Sequence, residues 1–249
     1  METDYSKIAS RYDGNKVRQK DVDPQIEELL KTGRDKFKIL DLACGTGKYL
    51  KVQSEFYKDA PIKWLGADRS KEMLAVSQSK GINADFICCD AEDSSISPDS
   101  SLDYIRNEYA WHHFTDHPAV IKNIFRMLKP GRLFTMVNIC PEYMKNYWVY
   151  HYFPGAKSID EDRFISAEEL LKSFKDQGFE VKIRVKTIVS ELNLKKVLEE
   201  AQNRDISQLT LIEDDEYESG MLKIKEDYKN AALLVHDMSF IELKALKKD

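Results

Sequence analysis

Hydrophobic and polar positions alternate along the first half of the chain in a way that predicts strands and helices in turn. Apolar runs typical of strands covered on both faces occur at 37–43, 62–68, 84–91, 102–107 and 133–138. Apolar positions at helical spacing lie between them, at about 47–57, 70–81 and 117–128. Such alternation is typical of βαβ units. It predicts an α/β, Rossmann-like, doubly wound and mostly parallel sheet.

The flanking segments complete one predicted domain over residues 1–249. Asp23 and Pro24 predict the cap and first turn of a helix within an N-terminal helical region, residues 1–33. Residues 139–165 are aromatic and irregular, and Ser166 with Glu169 predicts a capping box for the next helix. A strand at 179–185, a charged helical insert at 190–230 and a C-terminal antiparallel edge strand follow, which brings the expected sheet to seven strands.

The stretch from Asp41 to Gly47 reads as a buried strand, a glycine turn and the start of a helix. Gly45 and Gly47 permit positive φ and a close approach of a ligand to the backbone, and free N–H groups at the helix start attract anionic or polar groups. A third glycine is missing, which weighs against NAD or FAD, and no P-loop pattern follows. A purely structural turn is the alternative reading of this stretch.

Polar residues end the next predicted strands. Asp68 lies 21 positions after Gly47, where an acid is well placed to bind ribose hydroxyls, although it could instead cap the next helix. Asp90 can accept from an exocyclic amine such as adenine N6, and Asn107 ends the fourth strand. Because ligands of such sheets bind beyond the carboxyl ends of the strands, we expect these side chains at one edge.

Composition narrows the classes of partner. The formal net charge of -5 weighs against extended nucleic-acid binding, and no apolar run is long enough to span a bilayer. The four cysteines form no CxxC pair, so we expect free, buried thiols, a cytoplasmic setting and no metal site.

The order of these motifs resembles the class I S-adenosylmethionine-dependent methyltransferases, in particular the ubiquinone/menaquinone-biosynthesis-like family. The resemblance covers roughly residues 5–185 and rests on a set of short motifs. They are Asp41-Leu-Ala-Cys-Gly-Thr-Gly47, Asp68, Asp90-Ala91, Leu102-Asp103-Tyr104-Ile105, His112-His113-Phe114 and Leu128-Lys129-Pro130-Gly131, with Tyr5 to Asp13 similar to that family's N-terminal flap. These motifs are specific for fold and cofactor and poorly specific for substrate.

The resemblance implies a cofactor site for S-adenosylmethionine, with S-adenosylhomocysteine as product. The glycine loop would border the methionine moiety, Asp68 the ribose, and Asn107 the sulfonium end. Arg69 and Met73 would lie beside the base, although core filling is an equally good account of Met73. The implied cofactor-binding set is Tyr12, Asp41, Ala43, Cys44, Gly45, Gly47, Asp68, Arg69, Met73, Asp90, Ala91 and Asn107.

Methyl transfer from a sulfonium chiefly needs alignment and a dry site, and a weak nucleophile also needs a base. His113 and His112 follow the fourth strand and are candidate bases, or both are structural. Aromatic and basic residues predict a substrate pocket, or else a subunit interface: Arg106, Tyr109, Tyr147 and His151. A buried Arg106 needs a partner, so an ion pair is its alternative role.

The expected function is methyl transfer from S-adenosylmethionine to a small organic acceptor by in-line displacement. A tRNA or protein methyltransferase is the enzymatic alternative, and a non-catalytic cofactor-binding regulatory subunit is the third. Nucleic acid is an unlikely partner on charge, and a homodimer is compatible with the aromatic segment.

Overall fold

A computed structural model describes residues 21–204 and 206–248, and Tyr12 and the rest of the N-terminal flap motif lie outside this part of the chain. The described strands form one seven-stranded sheet in the order β3-β2-β1-β4-β5-β7-β6. Their bounds are β1 Phe37–Leu42, β2 Ile62–Asp68, β3 Asp85–Cys88, β4 Leu102–Glu108, β5 Leu128–Ile139, β6 Phe179–Asn193 and β7 Leu233–Lys247.

Parallel pairing joins the first five strands, which confirms the Rossmann-like, doubly wound prediction. β1 pairs with β2 and with β4, so the strand order reverses between β1 and β4. In the β1–β4 pair, Ile39, Leu40 and Asp41 lie opposite Tyr104, Ile105 and Arg106. One strand of the sheet is antiparallel. The expectation that the C-terminal strand forms a sheet edge is wrong, because β7 lies between β5 and β6.

The helices follow the strands as the alternation predicts. They are α1 Pro24–Leu30, α2 Lys48–Phe56, α3 Lys71–Ser79, α4 His117–Met127, α5 Trp148–Tyr152, α6 Gly155–Arg163, α7 Ala167–Asp176, α8 Leu194–Asn203 and α9 Asp214–Asn230. Two predicted caps are confirmed: Asp23 accepts from the N–H of Gln25, and Ser166 from that of Glu169. Ser70 caps α3 by accepting from the N–H of Met73. No helix in 21–204 or 206–248 is long and apolar enough to cross a membrane.

The segment 139–165 is not irregular, as its sequence suggested, because it contains α5 and α6. Neither helix shows a sequence signal at its start. Tyr147 and Pro154 occupy the cap positions and make no side-chain cap hydrogen bond. Without Ser, Thr, Asp or Asn at the cap, the boundary could not be read from the sequence.

The chain divides into two compact units, each with its own core. The first, the sheet unit, contains the described residues up to Val137, Leu171–Lys182 and the C-terminal stretch from Leu243. Its core includes Ile39, Leu50 and Trp64. The second, the helical unit, contains Asn138–Leu170 and Ile183–Glu242, with a core built on Trp148, Phe153 and the buried faces of α8 and α9.

All four cysteines are free, but their burial differs from the expectation. Cys44 and Cys140 are buried, Cys89 is half-buried and Cys88 is exposed. Cys88 ends β3, which lies at the edge of the sheet and is only four residues long. A strand in that position has no neighbour on one side, so the prediction of a buried thiol is wrong for Cys88.

Candidate cofactor site

A cavity of about 400 Å³ opens in the sheet unit, beyond the carboxyl ends of β1, β2 and β4. This is the edge at which open parallel sheets bind ligands, and the cavity includes the switch point between β1 and β4. Its volume falls in the range of ligand pockets. Its described lining consists of Leu42, Ala43, Gly45, Ala67, Asp68, Arg69, Ser70, Met73, Cys89, Asp90, Ala91, Glu92, Glu108, Tyr109, Ala110, His113, Phe114 and Thr115.

The loop after β1 has a left-handed backbone at three positions. Ala43, Gly45 and Gly47 have φ of 59°, 54° and 71°. A Cβ on Gly47 would lie 2.7 Å from Ile82 Cδ1, whereas a Cβ on Gly45 would meet no atom within 4 Å. Gly47 is therefore needed for packing under α2. Gly45 leaves open space beside the cavity that it lines.

Asp68 holds this loop in place. Its Oδ2 accepts from the N–H of Gly45 at 2.7 Å, and its Oδ1 accepts from the N–H of Ser70 at 2.9 Å. Burial raises the pKa of the Asp68 carboxyl, and the hydrogen bonds from Ser70 and Gly45 oppose that rise. The helix cap itself is Ser70, so the alternative reading of Asp68 as the cap of α3 is not the arrangement found. A carboxylate has about four lone-pair sites, so the two N–H bonds leave Asp68 acceptor capacity towards the cavity.

The other predicted binding residues divide into two groups. Ala43, Arg69, Met73, Asp90 and Ala91 line the cavity together with Asp68 and Gly45. Asp41, Cys44, Gly47 and Asn107 are not among its described lining. Burial raises the pKa of the Cys44 thiol well above its ordinary value.

Asn107 contacts the cavity indirectly, through the backbone of a lining residue. Its side chain is fully buried, and its Nδ2 donates to the carbonyl of Leu42 at 2.8 Å. Leu42 ends β1 and lines the cavity. Asn107 therefore joins the ends of β1 and β4. Its place at the sulfonium end of the cofactor stays a prediction.

Of the two candidate bases, His113 is in the described lining of the cavity and His112 is not. The ring centroid of His112 lies 3.9 Å from that of His113. Tyr109, a predicted substrate residue, also lines it with a left-handed φ of 56°. Its N–H donates to the carbonyl of Val137 at 2.8 Å, which stabilises this conformation.

The remaining predicted substrate residues lie elsewhere. Arg106 makes ion pairs with Asp23 at 3.1 Å and Glu108 at 3.2 Å, which is the alternative role that its sequence position left open. Tyr147 and His151 belong to the helical unit, where Tyr147 is buried and His151 is exposed. Their substrate roles stay predictions.

Several lining residues were not predicted from the sequence, among them the charged residues Glu108 and Glu92. Side chains on a strand alternate between faces, so Arg106 and Glu108 share one face of β4. That alternation was the available signal for Glu108. Among residues 21–204 and 206–248, no group of three His, Cys, Asp or Glu side chains is placed to hold a metal ion.

Comparison with known proteins agrees with this geometry. Residues 39–131 match the family model described as "Methyltransferase domain". The uncharacterized methyltransferase YcgJ of Bacillus subtilis is 31% identical over 167 residues, which are 64% of this chain and 58% of YcgJ. The crystal structure of YcgJ superposes with a TM-score of 0.57 and 19% identity over 91% of this chain and 99% of that one.

Two further relatives carry more specific names. The demethylmenaquinone methyltransferase of Thermotoga maritima is 26% identical over 71% of this chain and 86% of that protein. A shorter match, 30% identical over 43% of this chain, is to the probable tRNA methyltransferase 9B of Bos taurus, of which it covers 22%. The chain therefore carries a methyltransferase domain and is similar to the class I S-adenosylmethionine-dependent methyltransferases. Its family resemblance is to the ubiquinone/menaquinone type, and its cofactor is S-adenosylmethionine.

The cavity of this methyltransferase fits that cofactor on three observations. Gly45 leaves room where a Cβ would project, Asp68 lies at the end of β2, and Asp90 lies just beyond β3. Among the described lining residues, the charged ones are four carboxylates, Asp68, Asp90, Glu92 and Glu108, and one guanidinium, Arg69. This acidic lining suits a ligand with two cationic groups and one carboxylate.

Proposed function

We propose that this methyltransferase moves the methyl group of S-adenosylmethionine to a small organic acceptor, with S-adenosylhomocysteine as product. The observation that carries the proposal is the position of the acid-lined cavity at the β1–β4 switch point, inside the stretch that matches the methyltransferase domain. The named relative that acts on demethylmenaquinone supports an acceptor of this class.

In this proposal, each part of the cavity has one task. Asp68 and Asp90 hold the nucleoside, and the backbone around Gly45 borders the amino-acid part. The cofactor supplies an already activated methyl group, so the protein contributes alignment and exclusion of water. His113, which lines the cavity, takes the acceptor proton where the nucleophile is a hydroxyl or phenol.

Titration calorimetry with S-adenosylmethionine tests the binding site. Asp68→Asn keeps the shape of the side chain but removes the charge, and we expect an affinity loss of about tenfold or more, since charge-assisted hydrogen bonds are worth about 1.5–3 kcal/mol. Asp85→Asn is the matched control, because Asp85 is an exposed carboxylate that pairs with Lys63 at 2.8 Å. Unchanged affinity in folded Asp68→Asn would refute the assignment of Asp68.

Transfer of a labelled methyl group tests the activity. Small phenols, hydroxy acids and amines form one arm, and bulk tRNA forms the second, since one relative is named a tRNA methyltransferase. The net charge of -5 and the acidic cavity lining favour the small-molecule arm. Transfer only to tRNA would refute the proposed acceptor class, and cofactor binding without any transfer would favour a regulatory subunit.

We also propose a cytoplasmic setting, which the four free thiols support. A homodimer remains a second proposal, and the apparent mass in solution tests it.

A further inference from the structure

Glu108 lies in the wall of the cavity, and a chain of ion pairs fixes its carboxylate. Glu108 ends β4 and its side chain is 14% exposed. Arg106 lies two residues earlier on the same strand. One terminal nitrogen of its guanidinium, Nη2, is 3.2 Å from Glu108 Oε1. Its other terminal nitrogen donates to Asp23 Oδ2 at 3.1 Å, and the guanidinium lies 4.7 Å above the ring of Tyr49.

Asp23 is itself fixed by several donors. It caps α1, its side chain is 2% exposed, and its Oδ2 also accepts from the hydroxyls of Tyr49 at 2.8 Å and Tyr104 at 2.9 Å. These bonds come from α2 and β4, so the anchor of Arg106 is rigid. Asp23, Arg106 and Glu108 together carry one net negative charge, and Glu108 is the member that lines the cavity.

Strand order tells which end of the ligand meets Glu108. Asp68 and Asp90, the proposed nucleoside partners, follow β2 and β3 on one side of β1. Glu108 ends β4 on the other side of β1. An elongated ligand with its nucleoside over β2 and β3 therefore extends its other end towards β4. In S-adenosylmethionine that other end carries the sulfonium and the amino-acid group.

We propose that Glu108 faces the sulfonium of the cofactor and that the Asp23–Arg106 pair is the positioning device that holds its carboxylate there. This inference rests on the proposed function. A carboxylate at this place favours the positively charged methyl donor over the neutral thioether that remains after transfer. The chain would thereby select substrate cofactor over product cofactor without using the acceptor.

Calorimetry with three ligands tests this selection without any turnover. S-adenosylmethionine has the sulfonium and the ammonium, S-adenosylhomocysteine has only the ammonium, and 5′-methylthioadenosine has neither. In Glu108→Gln we expect the preference for S-adenosylmethionine over S-adenosylhomocysteine to fall about tenfold, or about 1.4 kcal/mol. The affinity for 5′-methylthioadenosine should stay within about twofold.

Asp85→Asn is the matched control. Asp85 is an exposed carboxylate of β3 that pairs with Lys63 and lies outside the described lining of the cavity. We expect the same preference between the two cofactor forms as in the unsubstituted protein. Thermal unfolding of each variant shows that it is folded at the temperature of the titration.

Arg106→Lys tests the positioning role, because it keeps the positive charge but loses the two-sided geometry of the guanidinium. We expect a partial loss of the preference, and no further loss when Arg106→Lys is added to Glu108→Gln. Additive losses would overturn the claim that Arg106 acts through Glu108.

Two other results would overturn the inference. An unchanged preference in Glu108→Gln would show that the carboxylate does not face the sulfonium. An equal loss of affinity for S-adenosylmethionine and S-adenosylhomocysteine would place the Glu108 carboxylate at the ammonium group instead. If the unsubstituted protein bound none of the three ligands, the cofactor assignment itself would fail, which distinguishes that failure from the failure of this inference.

Discussion

Gly45 and Gly47 lie in the same loop in the same left-handed conformation, yet substitution by alanine should affect stability most at Gly47 and cofactor binding most at Gly45. A Cβ on Gly47 would lie 2.7 Å from Ile82 Cδ1 and 3.0 Å from Ser77 Oγ. A Cβ on Gly45 would meet nothing within 4 Å, in open space beside the cavity. We therefore predict that Gly47→Ala lowers the free energy of unfolding and that Gly45→Ala lowers cofactor affinity.

The magnitudes follow from two separate costs. A left-handed alanine costs about 1–2 kcal/mol, partly offset by the lower entropy of the unfolded chain. Forcing a methyl group into a packed site costs about 1–3 kcal/mol more. Gly47→Ala should therefore lose about 2–4 kcal/mol, and Gly45→Ala about 1 kcal/mol. Gly81→Ala isolates the backbone cost, because Gly81 has φ of 64°, open space around it and no place in the described cavity lining.

Urea unfolding and calorimetry with S-adenosylmethionine on the three variants separate these effects. We expect Gly45→Ala to match Gly81→Ala in stability but to bind the cofactor at least about tenfold more weakly, through a steric clash with the ligand. Gly47→Ala should show the larger loss of stability. Unchanged affinity of Gly45→Ala for S-adenosylmethionine would refute the first prediction. A Gly47→Ala variant as stable as Gly81→Ala would refute the second.

Three further predictions concern charge and exposure. Asp103 is a fully buried carboxylate that accepts from Lys129 at 2.7 Å and from the N–H of Lys38 at 3.0 Å. Asp103→Asn should therefore lower the free energy of unfolding in urea by about 2–4 kcal/mol. Asp99→Asn should lower it by less than about 1 kcal/mol, because the Asp99 side chain, which pairs with Arg126, is 76% exposed. Burial lowers the pKa of His236 from 6.5, so the unfolded state takes up the proton first, and stability is lost as pH falls below about 6.5 through the folded pKa. His236→Gln should therefore reduce the fall in melting temperature between about pH 7 and 5.5. An unchanged slope of melting temperature against pH would contradict this. Burial raises the pKa of Cys89 to about 11 and that of Cys140 to about 11, so iodoacetamide should label exposed Cys88 first in peptide mass spectrometry, and faster labelling of Cys89 would contradict the burial order.

The parts of the fold that follow local patterns could be predicted from the sequence. Apolar runs between segments of helical spacing identified the strands from β1 to β5, and Asp23 and Ser166 were recognised as caps because a cap is a short-range signal. The place of β7 inside the sheet could not be predicted, because it depends on which distant strand accepts its backbone hydrogen bonds. A strand that alternates exposed and buried positions can occupy an edge or an interior place equally well.

The site divides in the same way. Residues that end strands, such as Asp68 and Asp90, were placed at one edge because topology alone brings the carboxyl ends of parallel strands together. Arg106 had two open roles in the sequence because its partner Asp23 is 83 positions away. No periodicity links residues at that separation, so only the folded chain could decide between a substrate contact and an ion pair.

The ion pairs of Arg106 with Asp23 and Glu108 explain why β4 contains a charged residue. Alone, a buried guanidinium in a central strand is expensive, and replacing such a pair with apolar residues often stabilises a fold. Here the guanidinium lies between Asp23, which caps α1, and Glu108, which lines the cavity. Asp23 alone would neutralise the Arg106 guanidinium, so stability does not require the second carboxylate, that of Glu108, which lines the cavity. The arrangement makes sense as a support for Glu108, and it connects α1 to the wall of the cofactor cavity through three side chains.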